Sequence, residues 1–297
     1  MAGGYQLRDS MSRSYFPQEF DYPINGLVLK LPMGHRLPIY QAKYLKYDKF
    51  LPYIVKRLAT GDGVIDVGAN CGDTLAAIIP AGPRLRYCAV EPSDNYLKYL
   101  EQNIETMRKA FPSVSLTYTK SLIGNSDGLY TLIEKDGTAT AVKVKKQDDV
   151  SEKSSQALGK TSLTQLVKSQ DRQFRLRLLK TDTDGMDWEV IDSGLEIFKE
   201  AQPIIFFECD PQNAEAFLAY QSTLEKLNNL GYHNFYIFDN YGEYVCSLNK
   251  VSTLVDFMRY CYAQTHRTIH YLDVVACVAE DAALVQSAIN EFNSTQL

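Results

Sequence analysis

The chain of 297 residues lacks both a long apolar run and an excess of basic side chains. A membrane-spanning helix needs roughly 20 consecutive apolar residues, and no segment approaches that length. The 31 basic and 36 acidic side chains give a net charge of -5, so no global field favours nucleic acid. The N-terminus has no apolar core of a signal peptide. We therefore expect a cytoplasmic protein with no transmembrane segment and no nucleic-acid partner.

The six cysteines lack a CxxC pair or any other metal-ligand spacing. Cys71, Cys88, Cys209 and Cys277 lie within or beside apolar runs that are typical of strands. This pattern predicts buried, reduced thiols rather than a metal centre.

Two nucleotide-binding motifs are also missing. Gly61 and Gly63 precede the apolar strand at 63–67, so the G-x-G-x-x-G fingerprint of dinucleotide-binding proteins is absent. No Gly-Lys-Ser/Thr comes after the strand either, which excludes a P-loop.

The turn after this strand predicts a site for a different nucleoside cofactor. Glycines at Gly68 and Gly72 allow the backbone to approach a ligand, and the next helix presents free N–H groups. A second strand ends in Glu91, an acid suited to ribose hydroxyls. Asp66 would repel a pyrophosphate but attract the α-ammonium of a methionine-like group, while the turn amides hold its carboxylate. This charge pattern favours S-adenosylmethionine over NAD.

The candidate cofactor-binding residues come from the turn and from the ends of the next two strands. They are Asp66, Gly68, Ala69, Asn70, Gly72, Asp73, Glu91 and Ser121. Ser121 is assigned to the adenine edge. Asp73 has an equal second interpretation, because an acid in the first turn of a helix stabilises the helix dipole.

Two blocks of sequence resemble a known family. The first is Asp66-Val-Gly-Ala-Asn-Cys-Gly-Asp73 with Glu91-Pro beyond it. The second is Leu178-Leu-Lys-Thr-Asp-Thr-Asp-Gly-Met-Asp-Trp-Glu-Val-Ile191 with Pro203-Ile-Ile-Phe-Phe-Glu-Cys-Asp210. In this order they resemble the class I S-adenosylmethionine-dependent methyltransferases and, within them, the FkbM family. The resemblance covers roughly residues 33–278.

The resemblance and the alternation of strand and helix patterns predict an α/β, Rossmann-like class I methyltransferase fold. We expect a mostly parallel seven-stranded sheet with an antiparallel edge strand. Residues 1–60 are predicted to form an N-terminal extension and cap, with a strand at 27–32 and a helix at 47–58. Residues 61–297 are predicted to form the methyltransferase domain. An insertion at about 124–160 holds a β-hairpin and then a mobile loop at 147–160.

Ligands of open α/β sheets bind beyond the carboxyl ends of the strands. Asp66, Asp182 and Glu208 end neighbouring strands of the expected sheet and should converge. Methyl transfer to a hydroxyl needs a proton acceptor, and Asp182 and Glu208 are the candidates, because close carboxylates raise one another's pKa. The alternative left open is a divalent cation held by oxygen ligands, with Asp184 or Asp210 assisting.

His35, in a loop of the cap, and His270, before the last strand, are further candidate bases, since imidazole titrates near neutral pH. Asp184 is interpreted instead as the N-cap of a helix that begins near Met186. The 20 tyrosines, many of them late in the chain, are most simply explained by half-buried packing on strands, and they also suit a polar, ring-shaped acceptor.

The resemblance implies an S-adenosylmethionine-dependent O-methyltransferase. Its acceptor would be a small molecule or glycan hydroxyl, such as a sugar or a natural-product scaffold. Two alternatives remain: a nicotinamide-dependent oxidoreductase on the same sheet, and a non-catalytic protein that binds S-adenosylmethionine. The sequence leaves the oligomeric state open, a homodimer included.

Overall fold

The computed structural model describes residues 19–125, 127–135, 137–144, 158–264 and 268–295. Its strands are β1 (Glu19–Ile24), β2 (Leu27–Pro32), β3 (Asp62–Val67), β4 (Arg86–Val90), β5 (Ser115–Thr119), β6 (Leu122–Ile123), β7 (Tyr130–Lys135), β8 (Thr138–Lys143), β9 (Lys160–Thr161), β10 (Arg175–Thr181), β11 (Ile204–Cys209), β12 (Asn234–Asp239), β13 (Tyr244–Leu248) and β14 (Leu272–Cys277). Its α-helices are α1 (Leu37–Lys43), α2 (Leu51–Val55), α3 (Asp73–Ile78), α4 (Asp94–Ala110), α5 (Leu163–Ser169), α6 (Asp187–Ala201), α7 (Ala214–Asn229), α8 (Val251–Ala263) and α9 (Ala279–Ser294).

The central sheet has the order β13-β12-β14-β11-β10-β3-β4-β5. Neighbouring strands from β5 to β11 run parallel, while β14 is antiparallel to both β11 and β12. The Rossmann-like α/β fold is therefore confirmed. The described sheet has eight strands where we expected seven, because β13 pairs antiparallel with β12 and becomes one edge.

Alternating side chains send the central strands' apolar residues to both faces of the sheet. Val64, Leu178 and Ile204 pack in one buried cluster, and their successors Ile65 and Leu179 pack in the other. Helices cover both clusters, so the central strands are continuous apolar runs in the sequence.

The order of the strands reverses between β3 and β10. The chain leaves β3 towards β4 and β5 and later leaves β10 in the opposite direction, towards β11. Such a switch point opens a crevice beyond the carboxyl ends of the strands, which is where ligands bind in this class of fold.

The N-terminal cap shares the core of the sheet, since Leu29, Leu31, Phe50 and Ile54 belong to the same buried cluster as Val64. The predicted strand at 27–32 is confirmed as β2. The helix predicted at 47–58 is wrong in extent, because α2 covers only Leu51–Val55. Pro52 explains the late start, since proline fits only the first turn of a helix. The sequence did not indicate β1 or α1.

The predicted hairpin insertion is confirmed as the antiparallel pair β7 and β8. Of the predicted mobile loop, 147–157 lies outside the described residues. The described residues resume at Leu158, which forms an antiparallel β-bridge with Tyr130. All six cysteines are free, and all except the half-buried Cys246 are buried. Within the described residues, no helix combines the length and apolar character needed to cross a bilayer.

Candidate active site

A cavity of about 510 Å³ lies at the carboxyl ends of the central strands. The predicted site residues that line it are His35, Gly68, Asn70, Asp73, Glu91, Ser121, Asp182, Glu208 and His270. Asp66, Ala69 and Gly72 do not line it. The sheet, the cap and the β7–β8 hairpin all contribute to its walls.

The glycine turn after β3 is bound mainly to the protein itself. The N–H groups of Gly68 and Ala69 both donate to Val90 O at 3.0 Å, and the N–H of Asn70 donates to Glu91 Oε2 at 2.8 Å. These amides therefore do not fill the predicted role of holding a cofactor carboxylate, because their hydrogen bonds are already made.

Gly68 allows two turns of the sheet to touch. Its φ is +77°, and a Cβ at this position would lie 1.9 Å from Asp182 O. The N–H of Asp182 also donates to Val67 O at 3.1 Å. A glycine is thus needed here so that the turns after β3 and β10 can pack together. Gly72 packs towards α4 instead, where a Cβ would meet Leu100 at 2.9 Å.

Glu91 is a buried carboxylate at the end of β4, with 3% of its surface exposed. It accepts backbone hydrogen bonds from Asn70 and Ser93, both at 2.8 Å. Burial raises the pKa of Glu91 to about 7, although these two bonds act in the opposite direction. Because a carboxylate offers about four acceptor positions, further ones remain for hydroxyl donors in the cavity.

Lys180 is a cavity residue that the sequence patterns did not single out. Its Nζ lies 3.0 Å from Asp66 Oδ1, 3.2 Å from Gly68 O and 3.7 Å from Asp182 Oδ2. Burial alone would lower the pKa of Lys180, but the neighbouring carboxylates, Asp66 first, outweigh it and raise this pKa. Asp66 has no exposed surface and lies behind the ammonium. The predicted direct contact between Asp66 and a cofactor is therefore corrected, since Lys180 occupies that position.

Besides five cationic side chains (Arg36, Lys46, Lys49, Lys160 and Lys180), seven carboxylates line the cavity. They are Asp48, Asp73, Glu91, Asp182, Asp184, Glu208 and Asp273. Glu208 and Asp273 are paired in register across β11 and β14. Burial raises the pKa of both well above the usual range, with the charge of Asp182 contributing at Glu208 and that of Asp48 at Asp273. Asp273 is not among the site residues predicted from the sequence, although an acid inside the apolar run of the last strand was a usable signal.

Asp184 is not a helix cap, contrary to the sequence interpretation. The N-cap of α6 is Met186, which makes no side-chain cap bond. Asp187 accepts from Thr181 Oγ1 at 2.8 Å and from the N–H of Thr183 at 3.3 Å. Asp184 instead faces the cavity with a φ of +52°. Among the described residues, no three or more His, Cys, Asp or Glu side chains are grouped to hold a metal ion.

His35 joins the cap, the glycine turn and the hairpin. Its Nδ1 accepts from the N–H of Leu37 at 3.3 Å, so its Nε2 is the donor to Asn70 Oδ1, also at 3.3 Å. Asn70 Nδ2 in turn donates to Gly137 O, in the turn of the hairpin, at 2.8 Å. Both ring nitrogens are engaged, which favours a positioning role for His35 over that of a base.

The β7–β8 hairpin also docks on the start of α4. Glu134 hydrogen-bonds the Ser93 hydroxyl and accepts from Asn95 Nδ2 at 3.1 Å. Tyr96 OH donates to Thr138 O at 3.3 Å. The insertion therefore forms a wall over the glycine-turn side of the cavity.

Tyrosines line the opposite side, beyond β11 and β14. The rings of Tyr44 and Tyr241 lie 4.3 Å apart, and those of Tyr40 and Tyr47 stack at 5.2 Å. His270 lies beside them with an exposed side chain, and its backbone N–H donates to Asn240 Oδ1 at 3.0 Å. We refer to this region as the tyrosine side.

The family profile described as "Methyltransferase FkbM domain" matches residues 66–233. The chain belongs to the FkbM methyltransferase family. The matched segment includes the glycine turn, Glu91, Lys180, Asp182 and Glu208. Membership favours the methyltransferase interpretation over the nicotinamide oxidoreductase that the sequence left open.

No curated protein matches the chain. Among solved structures, it is similar to a methyltransferase FkbM from Methylobacillus flagellatus, with 12% identity and a TM-score of 0.43 over 80% of this chain. The chain spans 50% of that protein's length. It is also similar to M. jannaschii TYW2 (10% identity, TM-score 0.42, 88% of this chain and 86% of that one). Aeropyrum pernix fibrillarin gives 12% identity and a TM-score of 0.41 over 86% of this chain and 82% of that one.

The FkbM family implies a methyl donor, and the cavity residues fit S-adenosylmethionine. The carboxylate-rich lining suits the positive charge of a sulfonium, because opposite charges attract strongly in a partly enclosed site. Glu91 offers acceptors for ribose hydroxyls, and Ser121 lies on the same side of the cavity.

The buried carboxyl groups give the FkbM-family protein an expected pH dependence of stability. Burial raises the pKa of Asp184 to about 6 and those of Glu91 and Asp187 to about 7. A folded-state pKa above the unfolded one adds stability that is present at low pH and lost as the pH rises through the folded value. Each unit of raised pKa corresponds to about 1.4 kcal/mol.

We therefore expect the free energy of unfolding to fall as the pH rises from about 5 to about 8, because these groups must then ionise inside the protein. Urea denaturation at both pH values checks this. A higher urea midpoint at the upper pH would contradict it. The Glu208→Gln variant should lose part of the dependence.

Proposed function

We propose that this protein is an S-adenosylmethionine-dependent O-methyltransferase whose acceptor is a hydroxyl of a sugar-like ring. The observation that supports this most is the position of Glu208. It is a cavity carboxylate with a raised pKa, and it stands between the glycine-turn side and the tyrosine side. A proton acceptor is what transfer to a hydroxyl requires.

The glycine-turn side is the donor site in this proposal. Glu91 accepts hydrogen bonds from the ribose hydroxyls, and Ser121 contacts the adenine. The surrounding carboxylates stabilise the cationic sulfonium by charge. When bound, S-adenosylmethionine supplies a methyl group that the sulfonium has already activated. The chain's task is then to orient the acceptor and to remove one proton.

The tyrosine side is the acceptor site in this proposal. The ring faces of Tyr44, Tyr47 and Tyr241 suit the apolar faces of a sugar, and carboxylates such as Asp48 and Asp273 suit its hydroxyls. Glu208 accepts the proton of the attacking hydroxyl. Asp182, directly after the neighbouring strand β10, borders the donor site.

The test is a screen of neutral sugars, aminosugars, sugar phosphates and glycosylated natural products with S-adenosylmethionine labelled in its methyl group. We expect label on a hydroxyl oxygen of one of these classes, as identified by mass spectrometry and NMR. Label found only on nitrogen or carbon atoms would contradict the O-methyltransferase assignment. Failure of the protein to bind S-adenosylhomocysteine would contradict the donor site itself.

A further inference from the structure

The donor proposed above carries a carboxylate that needs a hydrogen-bond donor in the cavity. The expected donors were the amides of the glycine turn. Those of Gly68, Ala69 and Asn70 are directed instead to Val90 O and to the Glu91 side chain. A buried anion without a partner is costly, and a cation beside the turn would give this carboxylate a charge-assisted hydrogen bond.

Lys180 is placed to do so. Lys180 and Asp66 are register partners on the neighbouring strands β10 and β3. Lys180 Nζ forms an ion pair with Asp66 Oδ1 at 3.0 Å and donates a hydrogen bond to Gly68 O at 3.2 Å. Asp182 Oδ2, at 3.7 Å, is too distant for a hydrogen bond. An ammonium has three N–H donors, so Lys180 keeps donor capacity for a ligand in the cavity, between the turns after β3 and β10.

Two other lysines of the lining, Lys46 and Lys160, are held at different places. Lys46 pairs with Glu243 at 2.7 Å on the tyrosine side. Lys160 pairs with Glu189 and lies over the Tyr130 ring, 3.9 Å from its centroid. Lys180 is the lysine whose ammonium contacts the glycine turn directly, through Gly68 O.

We propose that Lys180 binds the carboxylate of the cofactor's methionyl group, with Asp66 and Gly68 O holding its ammonium in place. This rests on the proposed function, since it assumes S-adenosylmethionine as the donor. It also gives Asp66 a purpose, because a buried carboxylate 3.0 Å from the ammonium stabilises the positive charge of the lysine. A charge-assisted hydrogen bond of this kind commonly changes affinity by about 10- to 100-fold.

The test compares two ligands that differ only in the carboxylate: S-adenosylhomocysteine and its decarboxylated analogue. Lys180→Met alone would leave Asp66 buried without a counter-charge and can prevent folding. The main variant is therefore Lys180→Met combined with Asp66→Asn, which removes both charges. Lys46→Met is the matched control, because it removes a cavity cation from the tyrosine side. Thermal unfolding checks that each variant is folded.

By calorimetry, we expect the double variant to lose about 10-fold or more of its affinity for S-adenosylhomocysteine. Its affinity for the decarboxylated analogue should stay within about twofold of the unmodified protein, and Lys46→Met should change neither. An equal loss for both ligands would overturn the proposal and leave Lys180 a purely structural role. Unchanged affinity for both, or a double variant that does not fold, would overturn it as well. An unmodified protein that binds neither ligand would refute the proposed function and the inference with it.

Discussion

Replacing Glu208 by glutamine is expected to lower the rate of methyl transfer about 100- to 10,000-fold, because the proton acceptor is lost while the shape is kept. Glu208 lies beside the end of β11, opposite Asp273 in register. Because β11 lies two strands away from β3 in the sheet, replacing Glu208 should leave the donor site beside the glycine turn intact. Affinity for S-adenosylhomocysteine should therefore change by no more than about twofold.

The measurement is single-turnover methyl transfer to the acceptor that the screen identifies, with calorimetry of S-adenosylhomocysteine alongside. Asp210→Asn is the matched control, since Asp210 comes after β11 but does not line the cavity. Equal losses in both variants would point to a general effect of removing charge near β11. Full turnover in Glu208→Gln would remove Glu208 from the mechanism.

The pH profile adds a second readout to the same variant. Burial, together with the charge of Asp182, raises the pKa of Glu208, so its basic form is populated only above the ordinary range of a carboxylate. The rate of the unmodified enzyme should therefore rise with pH through this raised value and then level off. Glu208→Gln should lose that rise. A profile of the same shape in both proteins would contradict the assignment.

Replacing Glu91 by alanine is expected to weaken binding of S-adenosylhomocysteine about 100-fold or more, because hydrogen bonds to a charged acceptor are each worth about 1.5–3 kcal/mol. The substitution removes the proposed acceptor of the ribose hydroxyls. It also leaves the N–H groups of Asn70 and Ser93 without their partner. Glu91→Gln keeps one acceptor oxygen and should fall between the two.

Calorimetry measures this affinity, and thermal unfolding separates a lost contact from a lost fold. Glu101→Ala is the control, because Glu101 is an exposed acid on α4 and does not line the cavity. If Glu91→Ala remained folded and bound the ligand as well as the control does, Glu91 would not be the ribose acceptor.

The parts of this protein that local patterns govern could be predicted from the sequence. Apolar runs such as Val64 to Val67 are placed correctly as buried strands, since both faces of the sheet are covered. The glycine turn and the acid after the next strand belong to the same βαβ pattern. The turn signals at 124–128 and the alternation around Tyr130 were enough to predict the hairpin insertion.

Contacts between distant segments could not be predicted in this way. Glu208 faces Asp273 only because the last strand enters the sheet antiparallel, between β11 and β12. The ion pair of Asp66 and Lys180 depends on the register of two strands that are separated by more than a hundred residues. Asp182 is predicted from the sequence as a site residue. Its contact with Gly68 could not be predicted, because that contact depends on the packing of the turns after β3 and β10.

The backbone conformation of several cavity residues is another feature that the local sequence predicts only in part. Asp48, Asn70 and Asp184 all have positive φ and all line the cavity. Residues other than glycine adopt this conformation at a cost, and such positions concentrate at functional sites. Asp184 precedes Gly185, a pair that is typical of turns, whereas nothing in the local sequence around Asp48 signals the conformation.

The tyrosine side is built from two short turns, one in the cap and one between β12 and β13. Gly242 packs so closely that a Cβ would lie 2.4 Å from Lys46 O, and Lys46 pairs with Glu243 across the same contact. Neither turn includes a residue that holds the glycine turn in place. Under the proposed function, exchanging or lengthening these two turns together would change the choice of acceptor without altering the residues proposed to bind the methyl donor.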